Sequence, residues 1–173
     1  MSEIKSVSSE KWIRKNLTRI RGQIASGDDS ELWFWVIPAG LACSQRPLRD
    51  TPGYGGRSPL TPGAKALVIA WVDHVVQAGF RSVISLMEEA QHERYYIRGG
   101  LNLHPEGLFG YLKERGLSVV WIPCKDYQRP TLGQMEEALK EYQRLGKPVL
   151  MFCSAGIDRT TPVAAFINDR LVD

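Results

Sequence analysis

Val149-Leu150-Met151-Phe152 is an unbroken apolar run that leads into Cys153-Ser154-Ala155-Gly156-Ile157-Asp158-Arg159-Thr160. It reads as a strand, a loop turning at Gly156, and the start of a helix. Similar apolar runs lie near Val83–Leu86 and Ser118–Ile122, with helical patterns between them. Strands alternating with helices need crossover connections. The chain is therefore expected to be α/β, with a central, mainly parallel sheet flanked by helices. In such a sheet the loops leaving Leu86, Ile122 and Phe152 fall along one edge, where ligand crevices form.

Ile13, Leu17, Ile20 and Ile24 share one face of a segment from about 9 to 25, with Lys15, Arg19 and Arg21 elsewhere. This predicts an N-terminal helix docked on the domain. Thr61-Pro62 supplies a cap and a first-turn proline for a helix carrying Leu67, Trp71, Val75 and Ala78, which stops at Gly79. A short helix is expected from about Pro105 to Arg115. Thr131 and Gln134 form a capping-box pattern ahead of Leu132, Met135, Leu139 and Tyr142. Asp50 to Gly63, dense in glycine and proline, reads as a mobile loop, and Met87 to Asn102 is similarly polar. Tyr54 and Arg57 in the first, and His92, Arg94 and Arg98 in the second, either line a substrate cleft or belong to uninvolved surface.

The length of 173 residues fits one domain spanning 1–173. A net charge of +3 is too small to imply nucleic acid and leaves only weak steering of anions. Three cysteines give no disulfide framework, and neither a leader nor an apolar span is visible. A cytoplasmic, reducing compartment is the expectation. None of the three histidines is paired with another at metal-ligand spacing, so no metal and no cofactor are expected. The oligomeric state is left open.

The loop after Phe152 carries chemistry. Turning the backbone of Ser154, Ala155, Gly156, Ile157, Asp158 and Arg159 around one point, ahead of a helix N-terminus, makes an anion site above the Cys153 sulfur. A thiol held there ionises easily. Arg159 supplies a planar fork for two phosphate oxygens, and Thr160 a hydroxyl for the thiolate or its adduct. Upstream, Val119-Val120-Trp121-Ile122-Pro123-Cys124-Lys125-Asp126 runs from a strand into a loop with one carboxylate, and Asp126 is the candidate general acid.

At these residues the chain resembles the cysteine-based protein phosphatases of the tyrosine and dual-specificity superfamily. Their signature is cysteine, two residues, glycine, two residues, arginine, then serine or threonine, and Cys153, Gly156, Arg159 and Thr160 meet it. Trp35–Ala42 with Ser44-Gln45-Arg46-Pro47, and Gly79–Leu86, are similar to core strands of the small members. The resemblance implies hydrolysis of phosphomonoesters, on phosphotyrosine or phosphoserine/threonine in proteins, through a phospho-cysteine. Catalysis would fall to Cys153, Arg159, Asp126 and Thr160. A non-catalytic phosphate-binding module, or a phosphatase for lipid or RNA phosphates, are the other readings.

The chain departs from that pattern in places. Phe152 stands where most members have a histidine that keeps the thiol acidic, so a less acidic Cys153 is expected. Asp158 is expected to turn away from the phosphate, and Ile157 replaces a lysine frequent in lipid-directed members. Only 14 residues follow Arg159, so the N-terminal helix is expected to cover the surface behind the loop. Cys124, two residues before Asp126, is either core or a second thiol able to trap an oxidised Cys153.

Overall fold

The computed structural model describes residues 2–171. Helix α1 spans Ser2–Ala25, followed by strands β1 (Trp33–Ile37) and β2 (Leu41–Ser44), and a short 3-10 turn leads into α2 (Lys65–Gln77). Then come β3 (Ser82–Ser85), α3 (Glu89–Tyr96), α4 (Gly107–Glu114), β4 (Ser118–Trp121), α5 (Leu132–Arg144), β5 (Val149–Phe152) and α6 (Thr160–Leu171). The sheet order is β1-β2-β5-β3-β4; β1 runs antiparallel to β2, and every other pairing is parallel.

β5 is therefore the central strand, and all four of its residues are buried. Its side chains alternate between two cores, as the two-residue period of a strand requires. Val149 and Met151 join Ile13 and Leu17 of α1 and Val163 and Ile167 of α6 on one face. Leu150 and Phe152 join Val68, Trp71 and Val72 of α2 and Leu108 of α4 on the other. The α1 helix lies along α6, directly behind the loop that follows β5.

Several expectations are corrected here. Helix α1 begins at Ser2 rather than near residue 9. The stretch Trp35–Ala42 is not one strand: Pro38-Ala39-Gly40 turns it into a hairpin, with Ala39 at φ 58 and the Gly40 amide donating to Ile37 O at 2.9 Å. The buried face of α2 is Val68, Trp71, Val72 and Val75, whereas Leu67 is exposed. Leu132 of α5 is likewise exposed, and the capping box expected at Thr131 and Gln134 is formed. The polar segment after β3 contains α3, opened by a second capping box between Glu88 and Gln91. A glutamate in place of Ser, Thr, Asp or Asn at the cap hides this helix start from pattern reading.

Candidate active site

The end of β5 is drawn out beyond its ladder. Leu86 N–H donates to Phe152 O at 2.8 Å and Arg46 N–H to Ser154 O at 2.9 Å, so both neighbouring strands hold the first residues of the loop. Gly156 adopts φ +81, and a Cβ there would sit 2.4 Å from Ser44 O and 2.9 Å from Gln45 N. Only glycine lets the loop pass this close to the end of β2. The turn closes through Thr161, whose N–H and hydroxyl both donate to Ile157 O at 2.9 and 2.7 Å.

Cys153, Ser154, Arg159 and Thr160 are all buried, and the Arg159 side chain is only 1% exposed. Its Nη1 donates to Gln91 Oε1 at 2.7 Å and to Cys124 O at 3.1 Å, while Nη2 lies 3.4 Å from Asp126 Oδ1. Arg159 Nε and Thr160 Oγ1 are buried without a protein partner. Buried polar atoms are rarely left unpaired unless something else is meant to meet them.

Asp126 and Arg159 thus meet although 33 residues separate them in sequence. Asp126 Oδ2 accepts from Gln91 Nε2 at 2.9 Å, its Oδ1 accepts from Tyr127 N–H at 3.0 Å, and its own amide donates to Glu88 Oε1. Gln91 therefore bridges the arginine and the acid with its two amide atoms. Sequence reading passed over Gln91 and Glu88; their three-residue spacing ahead of α3 was the available signal.

Asp158 turns outward as expected: its side chain is 57% exposed and meets Arg14 of α1 at 3.2 Å. Arg14 also donates to Thr161 Oγ1 at 3.4 Å, so α1 ties down the start of α6. Phe152 is fully buried and packs edge-to-face on Trp71.

His92 is not a cleft residue. It is buried, stacks on Phe109 at 4.1 Å, and accepts from Leu108 N–H through Nε2 at 3.1 Å. Burial pushes its pKa down to about 4, in keeping with that acceptor role. Arg98 pairs with Glu93, and Arg94 is exposed. The segment 50–63 is tied at several points: Gly56 N–H donates to Arg49 O, Arg57 Nη2 to Tyr127 Oη at 2.7 Å, and Leu60 N–H to Tyr95 O. Arg57 thus touches the loop of Asp126, and Tyr54 is 37% exposed. Cys124 is buried, and burial pushes its thiol up to about 11. Among the described residues there is no cluster of metal-ligating side chains, and no helix is long and apolar enough to cross a membrane.

No protein-family model matches the chain, and no curated protein does. Solved structures similar to it include Tk-PTP and TpbA. Tk-PTP in its active form is 20% identical over 82% of this chain and 84% of its own, with a TM-score of 0.49. A mutant form of Tk-PTP gives 22%, 75%, 65% and 0.48. TpbA of P. aeruginosa, in complex with pTyr, is 16% identical over 75% of this chain, with a TM-score of 0.39. This chain spans just under two thirds of the length of the Tk-PTP mutant and 57% of TpbA. With TM-scores below 0.5 and identities below 25%, these likenesses carry none of the functional reading, which rests on the loop and its partners.

Proposed function

We propose that this chain is a phosphatase that hydrolyses phosphomonoesters through a phospho-cysteine. Its substrates are phosphotyrosine, and also phosphoserine and phosphothreonine, in proteins. The observation that carries this reading is the state of Arg159. The guanidinium is buried and braced by Gln91, Cys124 O and Asp126, and its Nε is unpaired on the loop that starts at Cys153.

In this mechanism the Cys153 thiolate attacks phosphorus as the bond to the leaving oxygen breaks. Arg159 and the loop amides of Ser154 to Arg159 hold the non-bridging oxygens. A phosphate dianion arriving against Arg159 takes over from Asp126 as the guanidinium's anion, which frees the carboxyl to face the leaving oxygen. Asp126 then gives its proton to the departing phenol or alcohol. In the second step Asp126 takes a proton from water, the hydroxide attacks phosphorus, and the sulfur–phosphorus bond breaks. The Thr160 hydroxyl, unpaired in the fold, donates to the leaving thiolate.

The test is hydrolysis of an aryl phosphate across pH without added metal, comparing the native chain with Cys153→Ser. Turnover by the native chain and its loss in the variant support the reading. Turnover that survives the variant refutes it, and binding without turnover in either protein points to a phosphate-binding module.

A further inference from the structure

Tyr127, the residue after Asp126, sits at φ 59, in the left-handed region that bulky residues rarely enter. It is 75% exposed, so packing does not hold it there. Such a conformation persists where its surroundings fix it. Two hydrogen bonds do so: Tyr127 N–H donates to Asp126 Oδ1 at 3.0 Å, and Tyr127 Oη accepts from Arg57 Nη2 at 2.7 Å. Among the described residues Arg57 forms no ion pair, which leaves its guanidinium to the phenol.

Arg57 reaches Tyr127 from a fixed base. Before it, Gly56 N–H donates to Arg49 O at 3.0 Å, and Gly56 O accepts from Nη2 of the fully buried Arg46 at 2.7 Å. After it, Leu60 N–H donates to Tyr95 O at 3.1 Å. Arg46 Nε also donates to Ser154 Oγ at 3.2 Å. One arm of contacts thus runs from Ser154 through Arg46 to Arg57 and Tyr127, and the other from Tyr127 through Asp126 to Arg159, so both end on the cysteine loop. Other groups hold the acid loop before the turn: Arg159 Nη1 donates to Cys124 O, the Asp126 amide to Glu88 Oε1, and Gln134 Nε2 to Pro123 O at 3.1 Å. The Tyr127 side chain is met by Arg57.

We infer that Arg57 is a positioning residue: by holding the Tyr127 phenol it keeps the turn in which Tyr127 N–H meets Asp126 Oδ1, and so aims the acid at the leaving oxygen. Without this clasp the turn is free to relax to negative φ, its N–H leaves Oδ1, and the carboxylate keeps Gln91 and Arg159 but loses the contact that fixes its second oxygen. The role needs no contact between Arg57 and substrate. The inference rests on Asp126 being the general acid of the proposed phosphatase.

The experiment is a leaving-group series, from alkyl phosphates to phosphates of acidic phenols, with kcat/KM measured for the native chain, Arg57→Gln, Tyr127→Phe and the double variant. Both side chains are exposed, so the variants should fold, and urea midpoints check that they do. Each single variant should lower kcat/KM for alkyl phosphates by about 3- to 10-fold, the size of one hydrogen bond. For phosphates of acidic phenols, whose departure needs little help from a proton, the fall should be less than about twofold. The double variant should be no worse than either single one, because both remove the same bond. An unchanged series in folded variants, an equal fall for every leaving group, or falls that multiply in the double variant would overturn the inference and leave the cysteine mechanism standing. A native chain that hydrolyses no member of the series refutes the phosphatase reading, and the inference with it.

Discussion

Gln91→Leu removes the side chain that joins the arginine to the acid while keeping a similar volume. Two hydrogen bonds go, from Arg159 Nη1 at 2.7 Å and to Asp126 Oδ2 at 2.9 Å, and in both the partner is a charged group. A hydrogen bond to a charged group contributes about 1.5–3 kcal/mol net. Arg159 keeps Cys124 O and Asp126, so the loss should resemble one such bond rather than two. That corresponds to a fall of about 10- to 150-fold in kcat/KM for an aryl phosphate. The fall should lie mostly in kcat, because the acid and the arginine act on the leaving oxygen and the developing charge. Gln91 also closes the capping box of α3, so a stability loss of about 1 kcal/mol is expected and should be measured by urea unfolding. Gln91→Glu separates the two contacts. It retains an acceptor for Arg159 but faces Asp126 with a like charge, which should move the pH profile of kcat upward. A kcat/KM within about threefold of native in Gln91→Leu would refute the bridging role.

Gly156→Ala should cost at least about 2 kcal/mol in urea unfolding, because its Cβ meets backbone atoms of Ser44 and Gln45 at a positive φ; an unchanged midpoint would mean that the loop does not run against β2. Asp126→Ala should lower kcat by about 10²–10⁴ for alkyl phosphates and much less for phosphates of acidic phenols, measured as a leaving-group series. His92 binds its proton more weakly folded than unfolded, so its contribution is intact above the unfolded value, about 6.5, and is lost as pH falls toward about 4. Stability should therefore drop by about 2–3 kcal/mol across that window. His92→Gln, which keeps an acceptor for Leu108 N–H, should flatten the drop in urea titrations at each pH.

The sheet was legible because its central strands are short apolar runs between helical patterns, and burial on both faces demands that pattern. Less visible was whatever depends on contacts distant in sequence. Trp35–Ala42 looks like one strand because the reversal rests on Ala39 at positive φ, a conformation only Gly, Asn and Asp usually advertise. Helix α3 was hidden by its glutamate cap and by a buried face built from His92, Tyr95 and Tyr96 rather than aliphatic residues. In the candidate site, Cys153, Gly156, Arg159 and Thr160 stand out because the proposed phosphate loop would need those residue types at that spacing. Asp126 could be picked out by its place after a strand. Gln91 and Arg46 could not, since a glutamine before a helix and an arginine before a proline become informative only when the fold brings them to Arg159 and Ser154. His92 misled for the converse reason: a histidine in a polar stretch looks available until Phe109 and Leu108 enclose it.

The most direct test of the account is to quench the native chain rapidly during turnover of an aryl phosphate and map the phosphate by mass spectrometry under conditions that preserve thiophosphate. The account requires a phosphate on Cys153 that accumulates in Asp126→Ala, where hydrolysis is slowed, and that is absent from Cys153→Ser. Turnover with no adduct on Cys153, or an adduct elsewhere that persists in Cys153→Ser, would contradict it.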